Sequence, residues 1–264
     1  MTGQYANISV IIPAHQAEDT IEIALGSVVS QTIPPKEVIV IDDGSSDCTI
    51  KRVEAFRSSM HGIDLIARRQ SRMGAGAARN NAIRLSSESI LAFLDADDEW
   101  LPEHIEISLR HMCDGNHTLT AHNEWLVKDQ RESINDSLGR LKERTDPVLS
   151  IFCKGCISTS TVVVKKEAVF TAGGFDPGLV NGQDVDLWLA ILSAPRTTFV
   201  IFDQPLSRYN IRSGSINSNV TRRYTFFVRI ALTWAGDMIK RPGGSMCALW
   251  FRITAIHYEA VRGL

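Results

Sequence analysis

Three carboxylates, Asp95, Asp97 and Asp98, stand within four positions of the segment ILAFLDADDEW (Ile90–Trp100), directly after an apolar run. Like charges this close raise one another's proton affinity and cost stability unless a hard cation neutralises them. Mg2+ and Mn2+ take carboxylate and phosphate oxygens together, so the chemistry this cluster points to is the binding of a metal and a diphosphate. A polar strand end followed by a capped helix explains the same residues, since Asp98 suits a cap and Pro102 a first helical turn. A second acidic pair, Asp42-Asp43, runs into Gly44-Ser45-Ser46-Asp47, a glycine turn followed by a helix cap. A third lies in GQDVDLW, where Asp184 read alone is also a helix cap.

The elements that must carry these groups alternate. Apolar runs at Ile8–Ile12, Glu37–Ile41, Ile63–Ala67 and Ile90–Leu94 read as buried strands, and helical periodicity covers Thr20–Gln31, Asp47–Ser58 and Ala75–Leu85. A βαβ series of this kind predicts an α/β fold with a mostly parallel central sheet flanked by helices. In such sheets ligands bind beyond the carboxyl ends of the strands, where Asp42-Asp43 and Asp95–Asp98 both fall. Further on, the pattern predicts a helix over Pro102–Met112, a strand over Thr118–Val127 and a charged loop over Lys128–Pro147. A strand over Ser158–Lys165, a helix over Val185–Ser193 and strands over Thr198–Phe202 and Leu206–Ile211 follow. Helical stretches Arg222–Lys240 and Ser245–Arg262 close the chain around Arg241-Pro242-Gly243-Gly244.

Composition narrows the classes. The 264 residues are 44% hydrophobic and 22% charged, which supports a packed core and excludes disordered and fibrous chains. A net charge of −2 provides no basic field for nucleic acid, so no nucleic-acid partner is expected. The apolar run near the amino terminus is too short for a signal peptide, and nowhere do about 18 uncharged apolar residues follow one another. A cytoplasmic protein is therefore expected, with five cysteines as reduced thiols and Cys153/Cys156 as a lone pair without zinc-site partners. Phe226, Phe227, Trp234, Trp250, Phe251 and Tyr258 stand among arginines in the closing helices. They form either core or a face for peripheral contact at the inner side of a membrane.

Six segments in order, SVIIPAHQAEDTIEIALGSVVSQT, VIVIDDGSSDCT, GAGAARNNAI, FLDADDEW, GGFD with GQDVDLWLAI, and YNIRSGSIN, together resemble family 2 glycosyltransferases of the GT-A fold. The likeness covers roughly residues 7–217. It implies a GT-A domain over 1–217, with a nucleotide-sugar-binding half (1–100) and an acceptor and catalytic half (101–217), followed by a helical extension over 218–264. The glycine-rich segment from Gly74 to Arg79 lacks the third glycine of a dinucleotide fingerprint and follows the third strand, so the likeness takes precedence there.

The resemblance implies that Pro13, Ala14 and His15 pass beneath a nucleotide-sugar and that Asp43 accepts from a uracil ring; Asp42 is then read as capping or bracing the turn. It assigns Asp95 to the ribose and Asp97 to a Mn2+ or Mg2+ that clamps the diphosphate, with Asp98 a substitute ligand. Asp184 matches the acceptor-side base, Gly182, Gln183 and Trp188 shape the sugar and acceptor side, and Asp186 is aimed elsewhere. The family commonly carries arginine and histidine where this chain has Asn210 and Arg212. Arg212 therefore inherits the diphosphate contact, beside a retained Ser215. The implied activity is metal-dependent, inverting transfer of a sugar, above all from a UDP-sugar, to a hydroxyl of a glycan or lipid-linked acceptor in cell-surface polysaccharide synthesis. Two rivals remain open: a nucleotidyltransferase acting on sugar phosphates, and a nucleotide-sugar-binding module without catalysis.

Overall fold

The computed structural model describes residues 5–142, 146–155, 157–211 and 220–262. The first half alternates as its pattern predicts, through β1 (Ala6–Ala14), α1 (Ile21–Val29), β2 (Pro35–Asp42), α2 (Thr49–Phe56), β3 (Asp64–Arg69), α3 (Ala75–Leu85) and β4 (Ile90–Phe93). After them come β5 (Glu99–Trp100), α4 (His104–Asp114), β6 (Leu119–His122), β7 (Glu124–Lys128), β8 (Arg131–Asn135), α5 (Ser137–Lys142) and α6 (Pro147–Lys154). The remainder is β9 (Val163–Lys165), α7 (Lys166–Thr171), α8 (Gln183–Ser193), β10 (Phe199–Phe202), β11 (Ser207–Asn210), α9 (Val220–Lys240) and α10 (Met246–Arg262).

Seven strands form the central sheet in the order β10-β6-β9-β4-β1-β2-β3. Strands β4, β1, β2 and β3 run parallel, and β9 lies antiparallel between β4 and β6. Because β1 and β2 are buried on both faces, their apolar runs are continuous, and alternate residues feed two cores. Ile11, Ile39 and Ile41 face one with α3, α6 and α8. Val10, Ile12, Val38 and Val40 face the other with α1 and α4. The parallel direction carries Ala14, Asp42 and the residues after Phe93 to one edge of the sheet.

Three expectations are corrected. The single strand expected over Thr118–Val127 is split at Asn123 between two sheets, because β7 joins β5, β11 and β8 instead of β6. Asn123 fixes the break by donating to Asp136 Oδ1 (3.1 Å) and accepting from Leu138 N–H (3.0 Å). The expected loop over Lys128–Pro147 holds β8, an exposed edge strand whose alternation is masked by charge, and α5. Of the strand expected over Ser158–Lys165, only Val163–Lys165 pairs, and Thr159–Thr161 form a short 3-10 turn. Helix α6 was legible and unread: Asp146 caps it by accepting from Leu149 N–H (2.8 Å), Pro147 opens it, and Gly155 closes it in the left-handed region.

The closing helices share the main core. Ile230, Ala231 and Met238 of α9 and Leu249 and Ile256 of α10 pack in the cluster that holds Phe93 and Trp188. Trp250 and Met246 remain exposed. Among the described residues no helix is long and apolar enough to cross a membrane. Arg212, Ser215 and Cys156, together with the side chains of Phe251 and Tyr258, lie outside the described set.

A buried histidine pair supplies a pH-dependent element. His104 stacks on Trp100, its Nδ1 lies 2.9 Å from His122 Nε2, and His122 Nδ1 lies 2.6 Å from the Asn123 carbonyl. A carbonyl only accepts, so His122 carries its proton on Nδ1 and takes the other hydrogen bond from His104, leaving both rings neutral. Burial holds His104 well below the usual imidazole range and brings His122 down to about 4. The unfolded chain therefore binds more protons between about pH 6.5 and 4, and this contribution is complete above that window and lost as pH falls through it. Glu124, raised by burial to about 7, acts in the opposite direction, so the diagnostic is a difference. We expect the stability gap between His104→Phe and the unaltered chain to shift in the variant's favour by roughly 1–3 kcal/mol from pH 7 to pH 5 in urea titrations. A pH-independent gap would refute the assignment.

Candidate active site

The loops after β1 and β2 are stitched together before any ligand is considered. Gln16 N–H donates to Ser45 Oγ (2.9 Å), Ala17 N–H to Thr49 Oγ1 (2.8 Å), and Asp43 N–H to the Ala14 carbonyl (2.8 Å). Asp42 braces its turn as expected, accepting from Ser45 N–H (3.1 Å) and the Ser45 hydroxyl and facing Arg69 Nε at 3.3 Å. Asp43 is buried and accepts from Met73 N–H, Gly74 N–H and Gln70 Nε2, each at 2.8 Å. It thus anchors the loop that leads into α3, a role the sequence reading did not give it. Pro13 and Ala14 are buried at the end of β1, and His15 is partly exposed beside them.

Beyond β4, the acidic turn divides its labour. Asp95 pairs with Arg79 Nη2 at 2.5 Å, and its N–H donates to Ser160 Oγ (3.1 Å). Asp98 is buried, accepting from Ser160 Oγ (2.6 Å) and from Asn210 N–H (3.1 Å). Asp98, expected as a substitute metal ligand, is used here to brace the turn. Burial first, then Asp95 and Asp97, pushes its carboxyl well above the usual range. Asn210 also donates from Nδ2 to the Asp97 carbonyl (2.8 Å), so β11 ties down the turn where the family usually has arginine. Asp97 is left partly exposed.

No three His, Cys, Asp or Glu side chains among the described residues converge as a metal cage. That donor set still suits Mg2+ or Mn2+, which are held through one or two carboxylates completed by phosphate oxygens and water. Asp97, with Asp95 beside it, is the pair that would serve.

Asp184 opens α8. Its Oδ2 accepts from Thr159 Oγ1 (3.1 Å), its Oδ1 from Val185 N–H (2.9 Å), and the residue keeps partial exposure. Burial raises its carboxyl above the usual range, against the opposing pull of the Arg79 guanidinium. A carboxylate so placed is a stronger base than one in water and still has lone pairs to accept a hydroxyl proton. Asp186 is spoken for, as expected, by Trp234 Nε1 at 2.8 Å.

The neighbours of Asp184 are structural. Gly182 adopts φ +72°, and a Cβ there would lie 2.7 Å from Ile230 Cδ1, so α9 presses on the turn that carries the base. Gln183 is buried against Gly76, where a Cβ would meet its Oε1 at 2.0 Å. Trp188 is corrected outright: it is 0% exposed, packed with Phe93 and Phe175, and has no surface for an acceptor.

Two further residues bear on the site, and the second of them, Glu124, was missed by sequence reasoning. Arg79 is buried with its guanidinium over Phe175 (5.2 Å), and it bears on both Asp95 and Asp184. Its signal was a lone arginine on an alanine-rich helix face. Glu124 is a buried acid on β7, visible in sequence only as a charge before an apolar run. A cavity of about 470 Å3 lined by Thr118, Lys165, Thr171 and Arg196 opens at the opposite edge of the sheet, away from these carboxylates.

Residues 9–157 match the model of glycosyl transferase family 2. The chain is 29% identical over 238 residues to the UDP-Glc:alpha-D-GlcNAc-diphosphoundecaprenol beta-1,3-glucosyltransferase WfgD of Escherichia coli, covering 89% of this chain and 87% of that one. It is 30% identical over 236 residues to the amylovoran biosynthesis glycosyltransferase AmsB of Erwinia amylovora, covering 84% and 76%. In fold it is similar to S. aureus TarS 1-349, crystallised with UDP-GlcNAc (TM-score 0.71, 20% identity, 96% of this chain and 72% of that one). It is equally similar to the mannosyltransferase PcManGT from Pyrobaculum calidifontis, solved with GDP-Man and Mn2+ (TM-score 0.71, 17% identity, 98% and 72%).

Proposed function

The chain belongs to glycosyl transferase family 2, and from that premise we propose that it moves a hexose from a UDP-sugar to a hydroxyl of a lipid-linked saccharide during cell-surface polysaccharide synthesis. The observation that carries this reading is the joining of two acidic centres by adjacent residues: Thr159 donates to Asp184, and Ser160 to Asp98 in the turn that carries Asp95 and Asp97. A base and a diphosphate-metal site so linked suit single displacement at an anomeric carbon. The relative WfgD, by its name, uses UDP-Glc and a GlcNAc-diphosphoundecaprenol acceptor, which makes that pair the first to test.

In this mechanism Asp43 and the loop over Pro13–His15 hold the nucleotide, Asp95 the ribose, and Asp97 a divalent cation. A cation held there would supply stabilisation of the charge that grows on the departing diphosphate. Arg79 fixes the Asp95 carboxylate. Asp184 takes the proton of the acceptor hydroxyl as that oxygen attacks the face opposite the leaving group, and the anomeric configuration inverts. Arg212 is proposed for the diphosphate. A nucleotidyltransferase has no use for a base held on the acceptor side. The binding-only reading is decided by assay.

We expect the purified protein to release UDP from UDP-glucose and lengthen a synthetic α-GlcNAc-diphosphate lipid in the presence of Mn2+. Absence of any UDP-sugar turnover would refute the enzyme assignment. Exposed Met246 and Trp250 on α10 are proposed to meet the membrane that carries such a lipid, at its inner face. Trp250→Ser should then slow transfer to acceptor in anionic vesicles and not to a short-chain soluble acceptor. Equal rates on both would remove the membrane contact.

A further inference from the structure

Three successive hydroxyl residues, Ser158, Thr159 and Ser160, each meet a different acid. Ser158 faces Glu124 of β7. Thr159 Oγ1 donates to Asp184 Oδ2 at 3.1 Å. Ser160 Oγ donates to Asp98 Oδ2 at 2.6 Å and accepts from Asp95 N–H at 3.1 Å, while its carbonyl takes the Trp100 indole N–H at 2.7 Å. Thr159 is 5% exposed and Ser160 1%, so neither hydroxyl belongs to the solvent-facing surface. The short 3-10 turn here is a bad start for a strand. It aims consecutive side chains in different directions, which an extended segment, alternating between two faces, would not do.

From this arrangement we infer that Thr159 is a positioning residue for Asp184, fixing the orientation in which the carboxylate meets the acceptor hydroxyl. The inference rests on the reading of Asp184 as the base. Thr159 Oγ–H can donate to Asp184 only while that carboxylate is ionised or its Oδ2 is bare, so the contact favours the form that accepts a proton. One oxygen is then held from α8's own backbone, through Val185 N–H, and the other from the 158–160 turn. The charged groups facing Asp184 are Arg79 from α3, which favours ionisation, and Asp95 from the turn after β4, which opposes it; Asp186 on the same helix is drawn off to Trp234. Because Ser160, the next residue, grips the donor-side turn, the base and the diphosphate site are joined through adjacent residues of one short turn.

The test separates the hydroxyl from the fold. Thr159→Val keeps shape and removes the donor; Thr159→Ser keeps the donor. Thr159→Ala is the second donorless variant should valine perturb packing. In carbon-13 carboxyl NMR titrations, with the Asp184 resonance assigned by its loss in Asp184→Asn, the valine and alanine variants should titrate at higher pH than the unaltered chain, and the serine variant with it. In parallel, UDP release from UDP-glucose should fall about tenfold in kcat at pH 7, recover at higher pH, and leave the donor KM unchanged. An Asp184 resonance that titrates identically in all four proteins, or a donorless variant with unaltered kcat and pH profile, would overturn the inference. If Asp184→Asn itself stays active, the base assignment fails instead, and the NMR titration still decides whether Thr159 holds Asp184.

Discussion

Asp184→Asn is expected to lower sugar transfer by about 10³-fold while leaving UDP affinity within about twofold. The amide keeps the size of the side chain; its one oxygen can accept from Val185 N–H while its NH2 donates to Thr159 Oγ1, so α8 loses little. What it cannot do is take a proton. Asp186 offers no substitute, because Trp234 holds it away from the turn. Asp184 is assigned to the acceptor and not to the nucleotide, so nucleotide binding should survive. A variant with normal turnover would move the base elsewhere, with Glu124 the buried acid to test next.

Much of the nucleotide half was legible, for a physical reason. Strands buried on both faces are read as unbroken apolar runs, and the first four predicted strands lie within a few residues of β1 to β4. Their parallel order delivers Asp43 and Asp95 to one edge, while the roles proposed for them come from the resemblance to the family. The second half was harder because its strands are short and pair across sheets. Nothing in Thr118–Val127 signals the break except Asn123, whose role depends on Asp136 and Leu138 hydrogen-bonding back to it. Trp188 was misjudged because an aromatic beside a functional motif looks the same in sequence whether it faces ligand or core. Arg79 was underrated because its partners lie 16 and 105 positions away in sequence, at Asp95 and Asp184. The closing helices read as an appendage, yet α9 bears directly on Gly182 and Asp186.

The second large effect concerns the metal. Asp97, at the partly exposed turn after β4 with Asp95 beside it, is the carboxylate proposed to take a divalent cation. Removing it should cost transfer about 10²-fold or more, since several kcal/mol of leaving-group stabilisation depend on the ion. The Asn210 Nδ2–H contact to this turn goes to the Asp97 backbone carbonyl and should survive the substitution.

The measurement that bears most directly on the account is isothermal titration of UDP, GDP and TDP into the protein, with and without Mn2+, repeated on Asp97→Ala. UDP binding that tightens at least about tenfold with Mn2+, exceeds GDP and TDP, and loses its Mn2+ dependence in the variant is the expected result. Failure of every nucleotide to bind under both conditions would contradict a donor site at this edge of the sheet, and the catalytic role of Asp184 would fall with it.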